Sequence, residues 1–196
     1  YINSSIFKNN TAVYESGVTK GSPNIYTNGN INMTYNAFID NYCHDDISRD
    51  VYVNGGDITS LENNWWNTNN NPYEDELRVN VDEFSSWIMF KITPDYSKLN
   101  ISQNITLKAF LTNNIDNIPQ ISLLPDFNVT FSTNQISSKK QLVNGNADFI
   151  FNYTQNKGLY DVNVNLEGFT QTALVDVGKV LTELQFNVSD NITFKD

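Results

Sequence analysis

Three segments in the first seventy residues repeat one order of apolar and polar positions. Ile2–Asn10, Ile31–Asn41 and Ile58–Asn69 each open on isoleucine, run through alternating polar residues and close on an aromatic followed by asparagine. The aromatics Phe7, Phe38 and Trp65 recur 31 and 27 residues apart, the period of a solenoid coil. One coil cannot bury its apolar face alone, whereas stacked neighbours bury it together. The pattern therefore predicts the end of a parallel β-helix over residues 1–88, with strand-like pieces at Ala12–Tyr14, Asn24–Tyr26 and Val51–Val53 separated by glycine-rich turns. The polar run Asn67–Glu76 breaks the pattern, and Trp65, Trp66 and Trp87 carry enough apolar area to cap the last layer. Residues 77–94 contain no glycine and nine large apolar side chains, among them Phe84, Trp87 and Phe90. That segment is expected to pack over the open end of the coils and run directly into the next strand, with an interface centred on Trp87.

From residue 89 the period becomes strict alternation. Ile105, Leu107, Ala109 and Leu111 share one face, as do Val129 with Phe131, Ala147 with Phe149 and Phe151, and Tyr160 with Val162, Val164 and Leu166; Leu174 begins a last apolar set reaching Val177. Turn signals at Thr112–Asn117, Leu124–Asp126, Asn144–Asn146, Asn156–Gly158 and Glu167–Gly168 separate these runs. Short alternating strands at this spacing predict an antiparallel, immunoglobulin-like β-sandwich over residues 89–179. Gly158-Leu-Tyr160-Asp-Val162 has the order of a tyrosine corner, in which the phenol ties down the chain just upstream. Residues 180–196 start a further sandwich repeat or add a strand to this one. The fold class expected for the whole chain is all-β.

Composition agrees. Asparagine is roughly one residue in six, far above ordinary usage, and it suits coil turns because it tolerates left-handed backbone and bonds nearby main chain. The 12 Phe, 10 Tyr and 3 Trp favour strands. A net charge of −10 with scattered basic residues leaves nothing to neutralise phosphates, so nucleic acid is excluded as a partner. The single cysteine, Cys43, permits no internal disulfide and no cysteine-based zinc site. Its neighbour His44 points to the opposite face of a strand, which separates the two as a nucleophile and base. No run reaches membrane-spanning length and no signal peptide is visible. The chain opens at Tyr1 inside a repeat unit, so a fragment of a longer protein is expected.

The Phe-x-x-Asn repeats, Asn64-Trp-Trp-Asn-Thr-Asn69 with Pro72, the run from Trp87 to Thr93-Pro94, Leu124-Pro-Asp126 leading to Val129-Thr-Phe131, and Asn144-Gly-Asn-Ala-Asp-Phe149 together resemble the adhesin-like surface proteins of methanogenic archaea. The resemblance covers most of the chain. Asn67, where glycine is expected, and Phe127, where a small residue is expected, depart from the pattern. It implies a right-handed β-helix followed by immunoglobulin-like repeats, displayed extracellularly on the cell surface and adhering to another cell surface or an extracellular polysaccharide, without insertion of this part into a membrane. It implies no particular ligand and no binding residues.

Candidate chemistry is sparse. Asp40, Asp45, Asp46, Asp50 and Asp57 crowd one coil. Carboxylates at this density suit calcium, with Asp40, Asp45, Asp46 and Asp50 as the donors, although the order of a calcium-binding loop is missing; a solvated acidic loop is the plainer reading. Paired carboxylates also serve polysaccharide lyases and hydrolases built on β-helices, but three coils supply no long groove. Trp65 and Trp66 suit either a cap or sugar stacking. Asn-x-Ser/Thr sequons at Asn3, Asn9, Asn32, Asn100, Asn104, Asn128, Asn152, Asn187 and Asn191 offer glycosylation acceptors. Lys108 falls on the face opposite Leu107 and Ala109, which argues against an intramolecular isopeptide bond through it. The leading expectation is a non-enzymatic adhesin fragment. The alternatives are a fragment of a carbohydrate-active β-helix enzyme and a carbohydrate-binding module.

Overall fold

The computed structural model describes residues 1–12, 24–43, 50–74, 78–82, 84–115, 120–152, 154 and 156–178. The chain is all-β: seventeen strands in several sheets, no closed barrel, and a single 3-10 turn at Ile121–Leu123 among the described residues. The segment 180–196, Val13–Tyr14 of the first strand-like piece, and Leu77 lie outside them.

Nine short strands occupy the first sixty residues: β1 (Ile2–Asn3), β2 (Ile6–Lys8), β3 (Thr11–Ala12), β4 (Ile25–Thr27), β5 (Ile31–Thr34), β6 (Ala37–Ile39), β7 (Tyr42–Cys43), β8 (Val51–Val53) and β9 (Ile58–Ser60). They pair in parallel, β1–β5–β9, β2–β6, β3–β7 and β4–β8. Phe7 lies beside Phe38, and an isolated parallel bridge sets Ala37 beside Trp65. The aromatic repeat therefore closes on Trp66, one residue later than the sequence reading placed it. The Phe7 and Phe38 rings stack at 5.0 Å, and Phe38 and Trp66 at 4.5 Å. Around this column Ile31, Met33, Val51, Leu61 and Val79 form one apolar core.

Asparagine side chains tie down the turns between strands. Ser4, Tyr35 and Asn63 take left-handed φ of 54°, 57° and 57°, and the next turn repeats this at Asn9, Asp40 and Asn67 with 56°, 49° and 57°. The residue after each first turn joins a side-chain ladder. The Ser5 N–H donates to Asn36 Oδ1 (3.1 Å) and the Asn36 N–H to Asn64 Oδ1 (2.9 Å). The Asn36 and Asn64 amides in turn donate to the Ile2 and Met33 carbonyls. Asn36 and Asn64 are fully buried, so each ladder bond replaces a lost water contact; leaving such a group unpaired costs about 1–3 kcal/mol.

The second part is built from β10 (Ile88–Thr93), β11 (Tyr96–Leu99), β12 (Ile105–Asn113), β13 (Asn128–Ser132), β14 (Ser137–Gln141), β15 (Asn146–Phe151), β16 (Gly158–Leu166) and β17 (Phe169–Val177). One sheet has the order β10-β12-β15 and the other β11-β17-β16-β13-β14; every pair is antiparallel except β11–β17, which is parallel. Their apolar faces share one core, with Phe131 stacked on Phe149 at 5.0 Å. The buried sets match the alternation read from sequence in β12, β13, β15 and β16. In β17 they do not: Ala173, Val175 and Val177 point inward and Leu174 outward. The run Ala173-Leu-Val175 is apolar at consecutive positions, so period alone does not select its face. The Tyr160 hydroxyl donates to the Asn156 carbonyl at 3.0 Å, as a tyrosine corner requires.

The two parts meet in an apolar seam. Trp66 enters the coil core, while Trp65, its neighbour in an extended chain, leaves on the other side and joins the two-sheet core beside Ala37 and Ile39, edge-on to Phe169 at 5.5 Å. Residues 86–88 run parallel to 63–65: Asn63 N–H bonds the Ser86 carbonyl and Ile88 N–H the Asn64 carbonyl. The same chain continues as β10, so one stretch serves both parts. Val81, Phe84 and Trp87 lie over the end of the coil core, half-buried. The seam thus centres on Trp65 and Ile88 rather than on Trp87, because Trp87 caps the end of the coils while Trp65 projects from their flank.

The Trp65 and Trp66 indole N–H groups have no hydrogen-bond partner among the described residues, whereas the Trp87 indole donates to the Asn69 carbonyl at 3.3 Å. Burying an aromatic side chain of about 150–250 Å² stabilises by about 4–6 kcal/mol, which exceeds the roughly 1–3 kcal/mol cost of one unpaired donor. Trp65→Ala should therefore lower the unfolding free energy by about 3–5 kcal/mol, and Trp87→Ala by clearly less. Denaturant titrations of both variants check this, and equal losses would place the seam wrongly. Small-angle scattering of Trp65→Ala should also show a broadened interpart angle.

Candidate functional site

Asp40 occupies the middle residue of the second turn column, a left-handed position that Asn9 and Asn67 fill in the neighbouring coils. Short polar side chains are tolerated there because they bond locally; the Asn67 amide donates to Asp40 Oδ1 at 3.1 Å. Facing this column is the β16–β17 hairpin. Its two-residue loop, Glu167–Gly168, has φ of 47° and 94° and joins the paired residues Leu166 and Phe169, the mirror-image turn that matches strand twist. The backbone angle favours glycine at 168, and a Cβ there would also stand a tight 3.3 Å from Asp40 Oδ1. The Asn165 side chain accepts from the Gly168 N–H at 3.1 Å and fixes the loop.

Between the turn column and the hairpin lies a polar cleft of about 270 Å³. Lys8 and Asp40 line one wall and Glu167 and Asn165 the other, with Thr130 and Lys139 extending the floor onto the sheet. The Lys8 ammonium donates to the Glu167 carboxylate. That bond holds Lys8 above its ordinary pKa; partial desolvation opposes the shift, and the nearby Glu167 and Asp40 charges add to it. The cleft therefore carries two cations and two carboxylates in balance, beside amide and hydroxyl groups, and no apolar side chain. A smaller hollow of about 70 Å³ lies beside Leu111, Ile121, Phe127 and Leu142.

The four carboxylates put forward for calcium do not share one setting. Asp40 lies in the cleft. Asp50 is fully buried in the coils. Its Oδ1 accepts from the Asn41 amide (2.7 Å) and the Asn24 amide (3.2 Å), and its Oδ2 faces Arg78 Nη1 at 3.5 Å. Asp45 and Asp46 lie outside the described residues, as does His44. No group of three or more His, Cys, Asp or Glu side chains with metal-binding geometry occurs among the described residues. Cys43 is buried. Trp65 and Trp66 are both fully buried, which withdraws them from sugar stacking. Lys108 is exposed, with its ammonium 5.9 Å from the Phe110 ring centre. Asn128 and Thr130, two residues of one sequon, reach the cleft. The cleft itself was not visible in the sequence, since Lys8, Asp40, Thr130, Lys139 and Glu167 are brought together only by the packing of the two parts; the Glu167-Gly168 turn signal was its one local trace.

No protein-family model and no curated protein matches the chain. Among solved structures, a β-glucosidase from Listeria innocua is similar over 47% of this chain and 16% of that one, at 17% identity with a TM-score of 0.31. Among the described residues no helix is long and apolar enough to cross a membrane.

Breaking a buried ion pair from one side leaves an uncompensated charge, at a cost of about 3–5 kcal/mol. Arg78→Met should show that loss in thermal or denaturant unfolding, and Asp50→Asn in the same chain should recover part of it; a loss below 1 kcal/mol would mean that Arg78 contributes little. Calcium at Asp50 would have to displace Arg78, so a melting temperature that rises in millimolar calcium and falls in chelator would favour a site built with Asp45 and Asp46. The exposed Lys8–Glu167 pair is worth far less, about 0.2–1 kcal/mol by double-mutant cycle. Because the folded pKa of Lys8 is raised, that contribution is complete below its ordinary value near 10.4 and disappears as pH rises through the folded value. A cycle measured at neutral pH and again in strong alkali checks the sign.

Proposed function

We propose that the chain is a segment of a cell-surface adhesin, in which the last coils of a right-handed parallel β-helix (residues 1–88) lead into an immunoglobulin-like β-sandwich (residues 89–179), with a following repeat beginning near 180. Supporting the architecture are the parallel pairs recurring every coil, the asparagine ladder, the two-sheet core with its tyrosine corner, and the resemblance of the motifs to adhesin-like surface proteins of methanogenic archaea. The observation that carries the function is the seam: Trp65 projects from the coils into the sandwich core, and the strand that ends the coils becomes the first strand of the sheets. A freely tethered pair of modules has no use for such a joint, because a flexible linker would connect them without it. A rod that holds its tip away from a surface under load requires it. The partner in this reading is another cell surface or an extracellular polysaccharide, and the setting is extracellular.

Beads coated with the chain should adhere to at least one member of a panel of archaeal, bacterial and epithelial cells and immobilised polysaccharides, above beads coated with heat-unfolded chain. Equal adhesion by both preparations would sink the adhesin reading. Release of reducing sugar or unsaturated product from those polysaccharides would instead support an enzyme.

A further inference from the structure

We infer that the cleft between the coil turns and the β16–β17 hairpin is a glycan-binding site, extended by the outer face of the five-stranded sheet and selective for neutral, polyhydroxylated chains. The inference rests on the adhesin reading and adds to it the place and chemistry of the ligand contact.

Three observations carry it. The first is the lining. Asp40 and Glu167 can accept hydrogen bonds from sugar hydroxyls, Lys139 can donate, and Thr130 can do both. Apolar side chains, which a peptide or lipid ligand would need, are absent from the cleft lining. The second is charge. Lys8 is already engaged by Glu167, so the cleft offers no net positive field to an anionic polymer, and the chain as a whole carries −10. The third is what lies beyond the cleft. Lys139, Thr130, Asn165 and Thr170 stand side by side across β14, β13, β16 and β17. A second row, Ser137, Ser132, Asn163 and Thr172, runs parallel to it on the same face. The Asn165 amide donates to Thr170 Oγ1 and the Thr172 hydroxyl to Asn163 Oδ1, each at 2.8 Å. These bonds hold the β16 and β17 members of both rows in place, so binding there would order few side chains. The cleft volume of about 270 Å³ lies just below the roughly 300–1,000 Å³ usual for small-molecule sites. It fits one end of a chain whose following units would lie on the two rows.

The test uses the full chain on an array of neutral and uronic-acid oligosaccharides, followed by titration calorimetry with whichever oligosaccharide is retained. Lys139→Ala changes an exposed sheet position and Thr130→Val a half-buried one on the outer face, both of which a strand tolerates. Each should weaken binding at least tenfold with an unchanged melting temperature. Retention of no oligosaccharide, retention of uronic-acid chains alone, or full affinity in both variants would overturn the inference. Coated beads separate the two levels. If wild-type and variant beads adhere to cells equally well, the cleft is not the contact and the adhesin reading stands. If oligosaccharides bind the cleft but wild-type beads adhere to nothing, the site stands and the adhesin reading fails.

Discussion

In an extended strand, neighbouring side chains leave the backbone on opposite sides, and Trp65 and Trp66 turn that rule into a joint. Trp66 continues the column of Phe7 and Phe38 in the coil core; Trp65 fills the two-sheet core against Phe169. One dipeptide thereby anchors both cores, and the peptide between them sets their separation. Neither ring can move without opening a cavity in one core or the other, at a cost that grows with cavity volume. The rest of the contact follows. Ala37 and Ile39, on the same flank of the coils as Trp65, complete the seam. The Ser4 hydroxyl reaches the Leu123 carbonyl, and the Gln120 N–H reaches the Tyr35 hydroxyl.

A stack of parallel strands exposes both apolar area and unpaired main-chain groups at its last layer. Val81, Phe84 and Trp87 cover the apolar area. The main chain is handled by extending the ladder beyond the coils. The Trp87 N–H donates to Asn114 Oδ1 at 2.8 Å, and the Asn114 amide donates to the Ser85 carbonyl. That is the bonding scheme of Asn36 and Asn64 one layer further along, supplied by the residue that follows the end of β12. The sheet unit thus continues the polar ladder as well as the apolar seam, and the two reinforce each other because both fix residues 85–88.

Legibility in the sequence followed period. The parallel strand pairs of the first part were visible because an aromatic recurs every 31 and then about 28 residues with asparagine beside it, and the core strands β12, β13, β15 and β16 were visible because they alternate. What escaped has physical causes. Trp-Trp left the anchor ambiguous by one residue, and only the pairing of Ala37 with Trp65 resolves it. Strand β14, Ser137–Gln141, has no apolar residue; it is an edge strand, where serine and lysine face inward at little cost and discourage further pairing. Strand β11 buries only Leu99. Asp50 read as a solvated acid or metal donor because the partner that neutralises it, Arg78, is one coil away in space and 28 residues away in the chain.

The cleft depends on the joint rather than on either part alone. Asp40 has a left-handed turn position because the coil needs one there, and Gly168 has its conformation because a two-residue hairpin needs it. Neither requirement concerns a ligand. Seating Trp65 in the sheet core sets the coil flank against the hairpin tip, where a Cβ at position 168 would stand only 3.3 Å from Asp40 Oδ1. Two polar turns that would otherwise be separate, solvated corners then become facing walls. Their side chains keep hydrogen-bonding capacity that the fold does not consume, held at a separation fixed by buried aromatic packing. A site of this origin is stiff without any lid or metal, and loosening the seam should disperse its walls even when every lining residue remains in place.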